Sequence, residues 1–223
     1  MKWYKAILLT LILLLLGVFW GYEAWEALIQ HWLLFIRWYN STKVAYYPWY
    51  LWVLLGACIF PLMNRFFVKN IELTKTFTHE LTHTITGLLL FRRIHSFHAE
   101  EQGIGVVWTS GNDSIRFLTA LAPYCFPIYT FPLMMMRCMV TPSLLPIMDV
   151  IIGFTIGLHI VCFREQIGNH QTDINQFPLW FSYIYIFSVW LFDVSLLLMS
   201  FLQKTNIFIA FRNYAQDMWH LIF

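Results

Sequence analysis

Thr78-His79-Glu80-Leu81-Thr82-His83 lies within residues 71–90, and the reading of this stretch decides both the fold and the chemistry. Wound as a helix, it carries Glu72, Thr76, His79, His83 and Thr86 at steps of three and four residues, which makes one polar stripe. Leu73, Phe77, Leu81 and Leu88 fall on the opposite side. Two histidines four residues apart stand on one helical face, so both imidazoles can hold one divalent ion such as Zn²⁺. Glu80 beside them is placed to take a proton from water. These groups form half of a hydrolytic site, and two satisfied core histidines with a structural glutamate are the plainer reading of the same residues.

Composition says what surrounds the stretch. Of 223 residues, 59% are hydrophobic and only 12% charged, and the mean hydropathy is +0.61. Those values belong to a membrane protein. Aromatic content of 19%, with 11 Trp and 11 Tyr, suits a chain that meets two bilayer interfaces, where amphipathic rings sit at headgroup level. In that setting a helix with ionisable groups must turn its polar face inward, because such groups are expensive in lipid and are kept for a pathway, a relay or a site. A net charge of +2 without any basic run argues against nucleic acid as a partner. Cys58, Cys125, Cys138 and Cys162 lie in apolar stretches without C-x-x-C spacing and read as small buried hydrophobes.

Six stretches approach the roughly 20 apolar residues that a spanning helix needs: 3–20, 49–60 with its flanks, 71–90, 117–140, 144–163 and 179–201. Lys2 and Lys5 come before the apolar run of the first, and no small-x-small cleavage site follows at 21–27, which favours an uncleaved anchor. Residues 23–47 mix Trp25, Trp32, Phe35 and Trp38 with Glu26, His31 and Arg37, as a helix in the interface or a plain connecting helix would. Residues 95–113 are polar, and 103–109 read as a short strand or hairpin. Lys and Arg divide almost evenly between the two sides, so the orientation is open. The expected fold is an all-α polytopic membrane protein of about six transmembrane helices, with a short membrane-associated β-hairpin after the motif helix. Residues 1–223 form one domain with its core at 71–201.

From about residue 71 to 201 the chain resembles the site-2-protease-like family of intramembrane zinc metallopeptidases, which carry this His-Glu-x-x-His motif in a membrane helix. Gly103 to Thr109 looks like the family's glycine-containing strand, and Ala122-Pro123-Tyr124 like its small-residue-Pro pair. The family's Asp-Gly signature, whose aspartate is the third metal ligand, is absent. Gln171-Thr172-Asp173-Ile174 takes its place, with Gly157-Leu158-His159 upstream, which resembles the divergent M50B-like branch. The resemblance implies one Zn²⁺ on His79, His83 and Asp173, with Glu80 as general base. Gly103, Gly105, Pro123 and His159 would then support the ligands or meet substrate. It also implies a membrane-protein substrate, cut in or near its transmembrane segment, and a place in the bacterial cytoplasmic membrane.

Depth in the bilayer bears on the third ligand. His83 lies about two turns, roughly 12 Å, before Arg92 and Arg93 at the end of its span, and the fifth span returns the chain to that side just before Asp173. Asp149, early in the fifth span, and Asp193, deep in the sixth, are expected to be acids of the bundle interior. His159 has a suitable depth and remains the alternative to Asp173. A transporter or other membrane metal-binding protein would use the same polar set without covalent chemistry, and a pseudoprotease would bind clients and cut none. Glu80 discriminates, because a carrier needs no proton-abstracting residue beside the ligands.

Overall fold

The long N-terminal helix α1 (Trp3–Asn40) lies along α8 (Leu179–Leu202), while α2 (Trp49–Phe66) lies along α6 (Leu145–Gln166). This computed structural model describes residues 3–40, 48–100, 105–168 and 171–202, together with 212 and 216. Between the two helix pairs run the motif helix α3 (Val68–Leu89), strands β1 (Arg93–Ala99) and β2 (Gly105–Ser110), and the short helices α4 (Arg116–Ala120), α5 (Thr130–Arg137) and α7 (Thr172–Asn175).

Among the described residues, four helices are long and apolar enough to cross a membrane: Trp3–Arg37, Trp49–Phe66, Pro142–Gln166 and Leu179–Leu202. The chain is a membrane protein of mostly helical build, and six spanning helices are not what these elements display. Of residues 71–90, all but Leu90 lie in α3, a helix of spanning length that carries too many polar groups to count by composition. Residues 117–140 are apolar but broken. Pro123 sits in a 3₁₀ turn (Ala122–Tyr124) and Pro127 just ahead of α5, and proline removes an amide donor and clashes with the preceding turn. Such irregular backbone is tolerable at membrane depth only when enclosed by protein, and Leu121, Ala122, Tyr124 and Cys125 are all buried.

Of residues 23–47, those from 23 to 40 are not a separate helix, because α1 continues through them without a break, and 41–47 lie outside the described residues. Its 38 residues extend about 57 Å at the helical rise, well beyond a hydrocarbon core of about 30 Å. Two of the four cysteines also depart from expectation: Cys125 and Cys162 are buried, whereas Cys58 and Cys138 are exposed, and all are free thiols.

The α2–α6 contact depends on small residues. A Cβ on Gly56 would run into the Val150 carbonyl, and one on Gly153 into the Val53 carbonyl, so the two backbones touch where a side chain would hold them apart. Around this contact Phe60, Ile71 and Leu158 form one apolar cluster, and Trp20, Trp49, Ile152 and Phe201 belong to another. Arg137 of α5 and Asp149 of α6 form a buried pair, Nε–Oδ1 2.5 Å and Nη2–Oδ2 3.2 Å, with the guanidinium 5.0 Å from the Phe201 ring centre. Asp149 is therefore a structural acid inside the bundle. Asp193 is also buried there.

Helix α3 is polar inside and apolar outside. Thr76, His79, His83 and Thr86 are buried, while Leu73, Phe77 and Leu88 are exposed. Three of its buried hydroxyls are satisfied within the helix, where Thr76, Thr82 and Thr86 donate to the carbonyls of Glu72, Thr78 and Thr82, whereas the Thr78 hydroxyl is buried with no partner among the described residues. At its C-terminal end Arg92 N donates to Gly87 O (2.9 Å) and Phe91 N to Leu88 O (3.0 Å). That is a Schellman closure, with Phe91 at φ 55° where glycine is usual. The turn launches the antiparallel hairpin, in which Ala99 faces Gly105, Phe97 faces Val107 and Arg93 faces Ser110, with an irregularity between Ile94 and Ser96.

Candidate metal centre

Three chain segments meet at the inward face of α3. His83 Nε2 lies 3.2 Å from His79 Nε2 and 3.1 Å from Asp173 Oδ2, and His79 Nε2 lies 3.5 Å from the same oxygen. A tetrahedral zinc with N and O ligands at about 2.0–2.1 Å holds them about 3.3–3.4 Å apart, so these separations fit one ion. Both histidines are buried.

The remaining ring nitrogens are fixed by partners far away in sequence. His83 Nδ1 donates to the Thr119 carbonyl (2.9 Å), an oxygen that can only accept. His79 Nδ1 meets Gln166 Oε1 at 3.1 Å. With protons on both Nδ1 atoms, both Nε2 lone pairs face the same point, an arrangement that calls for a cation or a shared proton between them. Asp173 supplies the balancing charge. Burial pushes its carboxyl toward protonation, but hydrogen bonds and charge from His79 and His83 outweigh this and hold it well below the usual carboxylate range. Gln176 Nε2 donates to its second oxygen, Oδ1, at 3.2 Å.

A polar cluster sits at the end of α6 beside Gln166 in sequence. Lys75 Nζ reaches Glu72 Oε2 (2.6 Å) and Glu165 Oε2 (2.5 Å), and Asn64 donates to Glu165 Oε1 (2.7 Å), which ties α2, α3 and α6 together next to His79.

Glu80 points away from the ligand triangle's protein side into a cavity of about 590 Å³, which is also lined by His83, Asp173 and residues 105–111 of the hairpin. Its carboxylate has no hydrogen-bond or ion-pair partner among the described residues, although the residue is buried. Gly105 forms the wall behind it, since a Cβ there would overlap the Glu80 carboxylate. Pro123 lines a separate small cavity beside His79, and the adjoining Tyr124 ring packs edge-on to His79 with centres 5.4 Å apart. Gly103 lies outside the described residues.

A family model described as Peptidase M50B-like matches residues 52–222. The chain belongs to this family. No curated protein and no solved structure matches it. Membership of an M50 peptidase family implies a metallopeptidase, and among the described residues His79, His83 and Asp173 form a group whose ligand atoms lie close enough together to hold a metal ion. His159 is outside that cluster. It shares the small cavity beside His79 and stacks on Trp190, ring centres 5.0 Å apart, with its Nε2 buried and unpartnered among the described residues.

Gln166, Thr119, Tyr124, Gln176 and Arg92 are site residues that sequence reasoning does not single out. For Thr119 and Gln166 the chemistry offers one signal, since an imidazole that ligates a metal requires an acceptor for its other nitrogen.

Proposed function

We propose that this chain is an intramembrane zinc metallopeptidase that hydrolyses a peptide bond in or near the transmembrane segment of another membrane protein. The observation that carries the reading is the convergence of His79, His83 and Asp173 at ligand spacing, beside a cavity into which an unpartnered Glu80 projects. When bound there, Zn²⁺ would polarise a carbonyl and acidify a water.

Each of the chain's own groups has a part. Glu80 Oε accepts a proton from the attacking water and delivers it to the departing amide nitrogen. The Thr119 carbonyl and Gln166 Oε1 hold the two imidazoles with Nε2 toward the site. A spanning substrate helix hides its carbonyls in its own hydrogen bonds, so it must extend before attack. The edge of β2 not paired with β1 borders the cavity and is suited to receive an extended segment by strand addition.

We also propose six crossings, with α3 and the broken segment 117–140 completing the four apolar helices. The hairpin and Asp173 line one cavity and therefore share a side, while α6 crosses between residue 142 and Asp173. The chain must then cross once more between the hairpin and α6.

The test is metal analysis of the purified protein together with cleavage of a co-expressed membrane substrate. Glu80→Gln keeps the metal and lowers cleavage by about 10²–10⁴-fold, the usual worth of a general base. His79→Ala loses both. Cleavage by Glu80→Gln at the wild-type rate would sink the peptidase reading, whatever the metal content.

A further inference from the structure

The cavity that holds Glu80, His83 and Asp173 is also lined by two arginines, Arg92 and Arg116. Arg116 is exposed at the rim. Arg92 is not: it is 5% exposed, and no carboxylate pairs with it among the described residues. Its Nε donates to Thr109 Oγ1 (3.3 Å) and its Nη1 to the Asn112 carbonyl (2.9 Å), both neutral acceptors, and its Nη2 has no acceptor among the described residues. A buried guanidinium without a counter-ion is costly, and its planar fork matches a carboxylate.

The local backbone is built to keep it there. Phe91, with φ 55° and its ring almost fully exposed, turns the chain so that the next residue folds under the end of α3. Gly111, with φ 155°, lies on the Arg92 stem, where an added Cβ would sit 3.2 Å from Arg92 Cγ. On the same cavity wall the Thr119 hydroxyl is buried without a partner among the described residues.

We propose that Arg92, with Arg116 at the rim, forms an anion subsite that selects peptides carrying a carboxylate close to the bond presented to Glu80. This deepens the peptidase reading and rests on it. The carboxylate has two possible sources, an Asp or Glu side chain of the substrate or a free C-terminus, and the fork suits either.

Binding rather than turnover tests it. The full-length Glu80→Gln protein in lipid nanodiscs is titrated with a fluorescent leucine-alanine helix peptide bearing a Gly-Ser tail. The tail carries Asp or Asn, and its C-terminus is free or amidated. The carboxylate-bearing peptides are expected to bind roughly tenfold tighter than the Asn amide, about what one well-made charge-assisted contact is worth. Whichever of the Asp and free-terminus arms carries the preference identifies the source. Adding Arg92→Gln should bring the ratio close to one, Arg92→Lys should retain part of it, and Arg116→Gln should reduce it. An arginine that merely braces the hairpin would weaken all four peptides alike and leave the ratio intact.

If Arg92→Gln does not fold, the Lys variant and Arg116→Gln carry the comparison. The proposal is overturned if the arginine-intact protein shows no carboxylate preference, including no binding of any of these peptides, or if the preference survives loss of both arginines. Cleavage by the wild type is scored separately. A preference without cleavage leaves the subsite standing and removes the peptidase reading, and cleavage without preference does the reverse.

Discussion

Gly105 and Glu80 illustrate how little space the site leaves for change. Gly105→Ala puts a methyl group where the Glu80 carboxylate lies, so either the base or the strand must move. The expected outcome is at least a tenfold loss of cleavage, toward the full 10²–10⁴ of a misplaced base, with metal content unchanged because the ligands lie on the other side. Loss of the metal in parallel with activity would contradict this account. The residue scale is also where the sequence is most readable. His79 and His83 declare themselves by spacing alone, since i and i+4 share a helical face. Asp173 is reached through depth and resemblance, and its carboxylate stands 3.1 Å from His83 Nε2. Thr119 and Gln166 are illegible, because one offers a backbone carbonyl and the other an amide, from 36 and 87 positions away.

Among the elements, the α2–α6 pair shows where hydropathy serves and where it fails. Both helices are apparent as apolar runs, but the reason they pair lies in Gly56 and Gly153, which a hydropathy average does not weigh. Gly153→Ala forces the backbones apart and should cost about 1–3 kcal/mol, as overpacking does, read as a lower unfolding midpoint in detergent. Gly56→Ala strains the same interface, so the double variant should fall short of the sum; strict additivity would show that the two contacts are independent. Breaking the Arg137–Asp149 pair by Asp149→Asn strands a buried guanidinium and should cost about 3–5 kcal/mol. The segment 117–140 misleads for a related reason. Hydropathy measures partitioning and not the ability to hydrogen-bond along a helix, so Pro123 and Pro127 go unnoticed in an average although they break the element. Helix α1 misleads in the other direction: its charged half looks like a separate piece, yet no breaker interrupts it.

At the scale of the whole molecule, the arrangement makes a definite topological demand. Ser96 in β1 and Ser143 before α6 are both exposed, and six crossings place them on opposite sides of the membrane. Single cysteines introduced there, in a background cleared of Cys58 and Cys138, should label with a membrane-impermeant thiol reagent from opposite faces. Labelling from the same face would mean that segment 117–140 does not cross and that the molecule has fewer spans. Both the inverted α3, polar within and apolar without, and the apolar outer surfaces of α1, α2 and α8 are what a lipid solvent requires.

The wall that Gly105 gives to Glu80 also limits how the proposed catalytic unit could be moved to another scaffold. Grafting α3 alone would carry two histidines and a glutamate, yet leave behind the strand that shapes the glutamate's surroundings, the Thr119 carbonyl and the Gln176-braced aspartate. The smallest portable module is thus discontinuous, made of α3 with its hairpin, the turn through Thr119, the end of α6 and residues 171–176. An engineer seeking a minimal membrane hydrolase would have to transplant all of these in register.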